Sequence, residues 1–186
     1  VYGFAIADRV FDLPYKLNLI SIADVNSKVA NSAAKKLGFQ KSTANWKNLI
    51  NDKQLDLISI TAPNSLHKDI AISALKANKH VYCEKPLAPT LNETQEMVEA
   101  SKRTNKKTQV GFNYLSNPMF STAKEIISSG DLGEITSFRG IHAEDYMSDP
   151  KSPYTWRHEP VGGGVLADLG SHILATAEYL LGLSLI

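Results

Sequence analysis

The chain has 186 residues, 43% of them hydrophobic and 21% charged, which is ordinary for a soluble globular protein of one large domain or two small ones. Its 20 Lys and Arg balance 19 Asp and Glu at a formal charge of +1, which excludes the concentrated basic footprint of a nucleic-acid binder. No apolar run approaches about 18 residues, and no basic-then-apolar amino terminus is present, so neither a membrane span nor a secretory signal is visible. The single cysteine, Cys83, cannot form an internal disulfide. A cytoplasmic protein is therefore expected, although the chain begins at Val1 and its sequence is silent on any segment before it.

Residues 17–24 (Leu-Asn-Leu-Ile-Ser-Ile-Ala-Asp) are apolar and β-branched and end on an acid, as a buried parallel strand does. Asn26 then caps a helix carrying Val29, Ala30, Ala33, Ala34 and Leu37 at three-and-four spacing, with Gly38 as its left-handed stop. A strand over 56–61 leads into a turn at Pro63-Asn64. From His67, positions 67, 70, 71, 74 and 75 trace one helical face that closes near Lys79. A strand at 80–83, a helix at 91–103 and a strand at 109–112 continue the alternation, which predicts right-handed βαβ crossovers and a doubly wound α/β domain with a mainly parallel sheet. After Asn113 the pattern changes. A helix at 118–129, a Gly-Asp-Leu-Gly turn, a long alternating strand at 134–144, a loop at 145–164 and a helix at 165–181 predict the start of a second, α+β domain, so the division falls at 1–113 and 114–186.

Both ends look cut. A doubly wound nucleotide domain opens with a strand and a G-x-G-x-x-G turn about 20 residues ahead of its ribose-binding acid, and the first residues here contain only Gly3. At the other end, one strand and one helix cannot make a covered sheet, so an exposed apolar face is expected.

Two places could carry chemistry. In Val81-Tyr82-Cys83-Glu84-Lys85-Pro86-Leu87-Ala88, an apolar run ends in a carboxylate and a cation where a buried strand opens. Pro86 restricts Lys85 to extended conformations and makes a cis peptide accessible. Taken alone, the pair reads as a surface lysine beside Glu84. Downstream, Gly162-Gly163-Gly164 leads to Asp168 and His172. Four residues apart on a helix, these two share a face with a rise of about 6 Å between them. That suits a carboxylate–imidazole pair in which His172 handles a proton and Asp168 orients it or binds a hydroxyl. The alternatives are a structural helix pair or a divalent metal site, and no further convergent His or Cys supports zinc.

The elements A-D-x-N at Asp24, T-x-P-N at Thr61, E-K-P-L-A at Lys85, G-F-N at Asn113 and G-G-G-x-x-x-D-x-G-x-H ending at His172 occur in an order and at spacings that resemble the glucose-fructose oxidoreductase / inositol dehydrogenase / MocA family. The resemblance spans nearly the whole chain. It implies a Rossmann-like dinucleotide-binding domain followed by a substrate and oligomerisation domain, with Lys85, Asp168 and His172 catalytic in the transfer of hydride from a secondary carbinol to NAD. It places Asp24 at the adenosine ribose, where a carboxylate accepts two hydroxyl hydrogens and repels a 2′-phosphate, favouring NAD over NADP; the alternative is that Asp24 caps the following turn. Thr61, Pro63, Asn64 and His67 would line the dinucleotide, with a strand-to-helix turn and a core-facing His67 as the plainer reading. Glu84 and Asn113 would contact the cofactor, and Lys85, Trp156 and Arg157 would lie beside the nicotinamide, although Trp156 and Arg157 could equally form a surface Arg–aromatic stack. Relatives often read G-F-N-R-R, and Tyr114 replaces the first arginine here, which leaves the substrate open. Tyr114, Tyr146, Trp156 and Arg157 suit a sugar or cyclitol. No metal, nucleic acid or membrane is implied, and relatives assemble as homo-oligomers. Some relatives cleave glycosidic bonds with a recycled NAD, and a non-catalytic sensor of dinucleotide or sugar is a further alternative. Without the glycine turn, this stretch is expected to bind NAD weakly or not at all.

Overall fold

The computed structural model describes residues 14–158 and 163–182, apart from the Trp156 side chain. Gly3, Gly162 and the final Leu-Ser-Leu-Ile fall outside these residues.

Strand β1 (Ser21–Ala23) is shorter than the apolar run that announces it. Helix α1 (Ser27–Leu37) follows, capped by Asn26, whose Oδ1 accepts from the N–H groups of Lys28 (3.0 Å) and Val29 (3.4 Å). It stops at Gly38, where φ is +87°, the left-handed region that favours glycine. Two elements then appear that the hydrophobic pattern does not announce. Strand β2 (Lys41–Thr43) pairs in parallel with β1, with Ile22 opposite Ser42, and a short helix α2 (Lys47–Asn51) follows. Strand β2 is polar and fixed by its pairing with β1, whereas α2 packs Leu49 and Ile50 against the main core.

Strand β3 (Leu57–Ile60), helix α3 (His67–Lys76), strand β4 (His80–Cys83), helix α4 (Leu91–Lys102) and strand β5 (Thr108–Val110) form the body of the domain. The three strands run parallel in the order β3-β4-β5. Helix α3 lays His67, Ile70, Ala71, Ala74 and Leu75 against them, the face that the three-and-four spacing predicts. With Ile58, Ile60, Val81, Cys83 and Met97 these apolar side chains make the main core, each large one contributing about 1.5–3 kcal/mol by leaving water. Burial, with the charge of Glu84 nearby, pushes the Cys83 thiol up to about 12, which makes it a packing group and not a nucleophile.

The register positions the site. Ile60, Cys83 and Val110 lie side by side, so the residues that follow them, Thr61, Glu84 and Gly111, meet at one lip of the sheet. The Glu84 N–H donates to Ile60 O (3.0 Å) and the Gly111 N–H to Cys83 O (2.8 Å), extending the ladder to that lip. A Cβ at Gly111 would lie 2.9 Å from Glu84 Oε1 and 2.9 Å from the Tyr82 hydroxyl. Gly111→Ala is therefore expected to cost about 1–3 kcal/mol through the displacement of one of these side chains. Urea unfolding of the natural full-length protein would show it as a lower midpoint with an unchanged slope.

The β1-β2 and β3-β4-β5 ladders are separate among the described residues. Between them runs a cavity of about 480 Å³ whose wall includes Ile22, Asp24, Ile58, Thr61 and Pro63. Its lining runs the length of both facing strands, from Leu19 to Ala23 on one side and from Leu57 to Ile60 on the other, so it is the space between two ladders that do not pair.

Beyond β5, helix α5 (Pro118–Ser129) begins at Asn117, whose Oδ1 accepts from the Met119 N–H (2.9 Å), and ends at Gly130 with φ +83°. A widened turn at Leu166–Gly170 runs into helix α6 (Ser171–Leu181), which packs on α5 with Tyr179 against Ser121 and Lys124. The expected strand at 134–144 is absent: this stretch forms no ladder with any described strand. A β ladder needs a neighbour to receive its N–H and C=O groups, and alternation alone cannot supply one. Its apolar residues stay open, with Ile135, Phe138 and Ile141 exposed at 40%, 39% and 75%. Ala177 is the single buried apolar residue among those described after β5. This part of the chain is held to the first by polar and ring contacts rather than by a core of its own.

Candidate active site

Strand β4 delivers Glu84 and Lys85 to the sheet's lip, and the Lys85–Pro86 peptide is cis. Lys85 does not pair with Glu84. Its Nζ donates to Asp168 Oδ1 at 2.7 Å and also to the Asp168 backbone carbonyl, with both side chains nearly buried. An ammonium has three N–H donors, so one remains beyond these two bonds. The other Asp168 oxygen, Oδ2, accepts from the Tyr146 hydroxyl (2.6 Å) and from Arg157 Nε (3.0 Å). The Arg157 guanidinium lies 5.3 Å from the centroid of the Tyr146 ring. Burial alone would raise the Asp168 carboxyl, but the bonds from Lys85 and Tyr146 and the charges of Lys85 and Arg157 outweigh it and hold the group below the ordinary carboxylate value. The bond to Asp168, with burial, raises Tyr146 above the usual phenol value.

The spacing of Asp168 and His172 predicts a direct pair on one helical face, and the structure corrects this. Residues Leu166–Gly170 form a π-helical turn, in which the Ser171 N–H reaches back five residues to Leu166 O. The wider turn breaks the regular helical register between the two side chains. Asp168 turns to Lys85, Tyr146 and Arg157, and His172 stands beside it with no hydrogen bond between them. His172 Nδ1 is buried without a partner. The imidazole is instead enclosed by rings: Phe112 edge-on at 5.9 Å, Tyr114 edge-on at 4.8 Å and His142 stacked at 5.3 Å, 14° from parallel. Burial, the nearby Lys85 charge and His142 lower its pKa from 6.5, which favours the neutral ring a general base needs.

The remaining candidates divide. Asp24 and Pro63 line the inter-ladder cavity with Thr61. One carboxylate oxygen of Asp24 accepts the Asn26 N–H at 2.8 Å, the turn-capping role; the other is not used by that turn. Asn64 is buried at the start of a 3₁₀ turn. His67 is fully buried, with Nδ1 3.0 Å from Pro86 O and Nε2 2.8 Å from Ala62 O. A ring so enclosed cannot touch a ligand; it ties the loop after β3 to the cis-proline segment after β4. Asn113 opens an exposed 3₁₀ turn after β5. The Trp156 side chain lies outside the described residues. The sequence offers Tyr146 as a substrate contact, and its hydroxyl is bound to Asp168; the resemblance does not single out His142, whose Nε2 lies 3.1 Å from Glu144. The His-x-Glu spacing was the available signal. Among the described residues, no three His, Cys, Asp or Glu side chains converge as metal ligands.

Parallel strands alternating with helices, with Lys85 at a strand end meeting Asp168 of the π turn beside His172 of α6, make a doubly wound α/β domain with a polar cluster at the lip of its sheet. Residues 5–112 match the oxidoreductase family with an NAD-binding Rossmann fold, and residues 120–185 match the C-terminal domain of the same Gfo/Idh/MocA group. The chain belongs to the Gfo/Idh/MocA oxidoreductase family. It is 42% identical over 163 residues to levoglucosan dehydrogenase of Pseudarthrobacter phenanthrenivorans, covering 87% of this chain and 42% of that protein. It is 35% identical over 128 residues to inositol 2-dehydrogenase of Salmonella paratyphi B, covering 68% of this chain and 38% of that one. A solved levoglucosan dehydrogenase in complex with NADH and levoglucosan superposes with a TM-score of 0.91 at 38% identity, over 96% of this chain and 49% of that one. The chain thus spans about half the length of the relatives it matches.

NAD, the cofactor of this fold, fits the residues present. The Asp24 carboxylate lines the space between the ladders, and the spare lysine N–H stands at the lip of β4 beside the His172 ring. No G-x-G-x-x-G turn that would hold the pyrophosphate occurs in the sequence ahead of Asp24. No described helix is long and apolar enough to cross a membrane.

Proposed function

We propose that residues 1–113 are the NAD-binding part and residues 114–186 the start of the substrate domain of a dehydrogenase acting on a secondary carbinol of a sugar or cyclitol. The observation that carries this reading is the pairing of Lys85 with Asp168 beside the unpartnered imidazole of His172. NAD, when bound, supplies the acceptor for the hydride that leaves the carbinol carbon. His172 takes the proton from the carbinol oxygen, as its lowered pKa favours. Lys85 donates its free N–H to that oxygen as negative charge develops, and Asp168 fixes the ammonium in place. Arg157 and Tyr146 hold Asp168 from the other side. The free oxygen of Asp24 supports NAD over NADP, because a 2′-phosphate there would meet a carboxylate. Closed rings bearing several hydroxyls match the named relatives and the aromatic surroundings of His172. The full-length protein is expected to be a homo-oligomer.

The test is NADH formation by the protein at its natural length on inositols, pyranoses and anhydrosugars. Stoichiometric NADH from one of these classes is expected. Bound NAD with cleavage of a glycoside and no net NADH would replace this reading with the recycling hydrolase.

A further inference from the structure

His172 lacks what a catalytic imidazole ordinarily has. A base of this kind is usually aimed by a hydrogen bond to its second nitrogen, often from a carboxylate. Here Nδ1 is buried without a partner, and the carboxylate placed to serve it is bound through both oxygens to Lys85, Tyr146 and Arg157. Something else must fix the plane of the ring.

Phe112 and Tyr114 meet the ring with interplanar angles of 83° and 77°, and edge contacts of that kind restrain rotation of the ring about its Cβ–Cγ bond less than a parallel neighbour does. His142 alone lies nearly parallel to it. His142 comes from the stretch that forms no ladder, between exposed Ile141 and exposed Ala143, yet its own side chain is only 16% exposed. It is anchored at both ends: Nε2 lies 3.1 Å from Glu144 Oε1, and the Tyr114 ring meets it edge-on at 5.3 Å. A phenylalanine could stack in the same place, held by the Tyr114 edge without the Glu144 charge behind it.

We propose that His142, held by Glu144, is a positioning residue for His172, its stacked ring fixing the plane of the catalytic imidazole in place of the hydrogen bond that Nδ1 lacks. This rests on the reading of His172 as the proton acceptor. The arrangement has an electrostatic consequence. The ionisable groups that act on His172 are Lys85 and His142, which oppose its protonation, and Asp168 and Glu144, which favour it. When His172 takes a proton, the Glu144 charge stands behind the stacked ring as a counter-charge. Removing the His142 ring admits water and removes one opposing group, so His172 should protonate more readily. Neutralising Glu144 removes a favouring charge, so it should protonate less readily.

The experiment is an NMR titration of the His172 ring in the natural full-length protein, without substrate, for wild type, His142→Ala, His142→Phe and Glu144→Gln. The His172 midpoint is expected to rise in His142→Ala and to fall in Glu144→Gln. Turnover should drop about 10- to 100-fold in His142→Ala with KM changed less than about threefold, and His142→Phe should recover most of it, because the loss is one of aim. If His142→Ala does not fold, Glu144→Gln gives the same titration with the ring in place. Midpoints unmoved in the folded variants, or a His142→Phe protein as impaired as His142→Ala, would overturn the inference. An inactive wild type whose His172 midpoint still responds to both positions would count against the dehydrogenase reading and leave the coupling of the two imidazoles intact.

Discussion

Lys85→Ala is expected to lower turnover by about 10²–10⁴-fold and to destabilise the natural full-length protein by about 3 kcal/mol. A lysine on the surface beside Glu84 would give neither effect, since exposed ion pairs contribute about 0–1 kcal/mol. The geometry is different here. The Lys85 and Asp168 side chains are 12% and 9% exposed and in contact at 2.7 Å, and Lys85 also serves the Asp168 carbonyl. Removing one member of a buried pair leaves the other charge desolvated, at a cost of about 3–5 kcal/mol. The lower end applies because Arg157 and Tyr146 still reach Oδ2. The pair also joins the β4 lip to the π turn before α6, across a boundary with little apolar burial. Replacing both residues, as Lys85→Met with Asp168→Leu, should therefore restore much of the stability and none of the activity. Urea midpoints and NADH formation measured on the same three proteins separate the two roles. A Lys85→Ala protein with wild-type turnover would remove lysine from the chemistry.

The difference between what the sequence announces and what the structure contains follows the range of the forces involved. Helix α3 was readable because its burial pattern, His67 to Leu75, is a local period written in side-chain type. The caps at Asn26 and Gly38 were readable for the same reason, since each acts within four residues. Strand β2 was not, because Lys41, Ser42 and Thr43 have no apolar alternation and are a strand only through β1. The 134–144 stretch is the reverse case: its alternation is clear, but pairing is a property of two segments. In the site, the residue set Lys85, Asp168 and His172 was legible, and its wiring was not. A spacing of four predicts a shared face only for 3.6 residues per turn, and nothing in Leu-Ala-Asp-Leu-Gly announces a π turn. Once Asp168 is turned toward Lys85, the roles of Tyr146 and His142 follow from contacts 22 and 30 residues distant in sequence, beyond any local pattern. His67 shows the same limit. Its place on the core face was readable; that its two nitrogens join the Ala62 and Pro86 carbonyls was not.

The acid limb of carbinol oxidation should lie below pH 6.5, and His172→Gln should abolish it. His172 must be neutral to accept a proton, and burial, with the charge of Lys85 and the neighbouring His142, lowers its pKa from 6.5 in the folded protein. The rate governed by this group should therefore have its midpoint below 6.5 and fall as pH drops through the lowered value. Asp168 does not contribute to this limb, because its own carboxyl is held below 3.8. The same shift has a stability consequence whose sign is fixed. Between the folded and unfolded pKa values of His172, the unfolded chain binds a proton that the folded protein does not, so stability falls as pH decreases from about 6.5 and levels off below the folded value. Asp168 acts later. Its depressed pKa contributes stability that is present above 3.8 and is lost as pH falls through the folded value. His172→Gln keeps a polar side chain at the position but cannot titrate. It should lower turnover by about 10²–10⁴-fold, flatten the remaining rate across the His172 window, and weaken the decline in stability just below pH 6.5. The profile of kcat/KM against pH, with urea midpoints at the same pH values, measures both. A limb that persists unchanged in His172→Gln would assign the proton to another group.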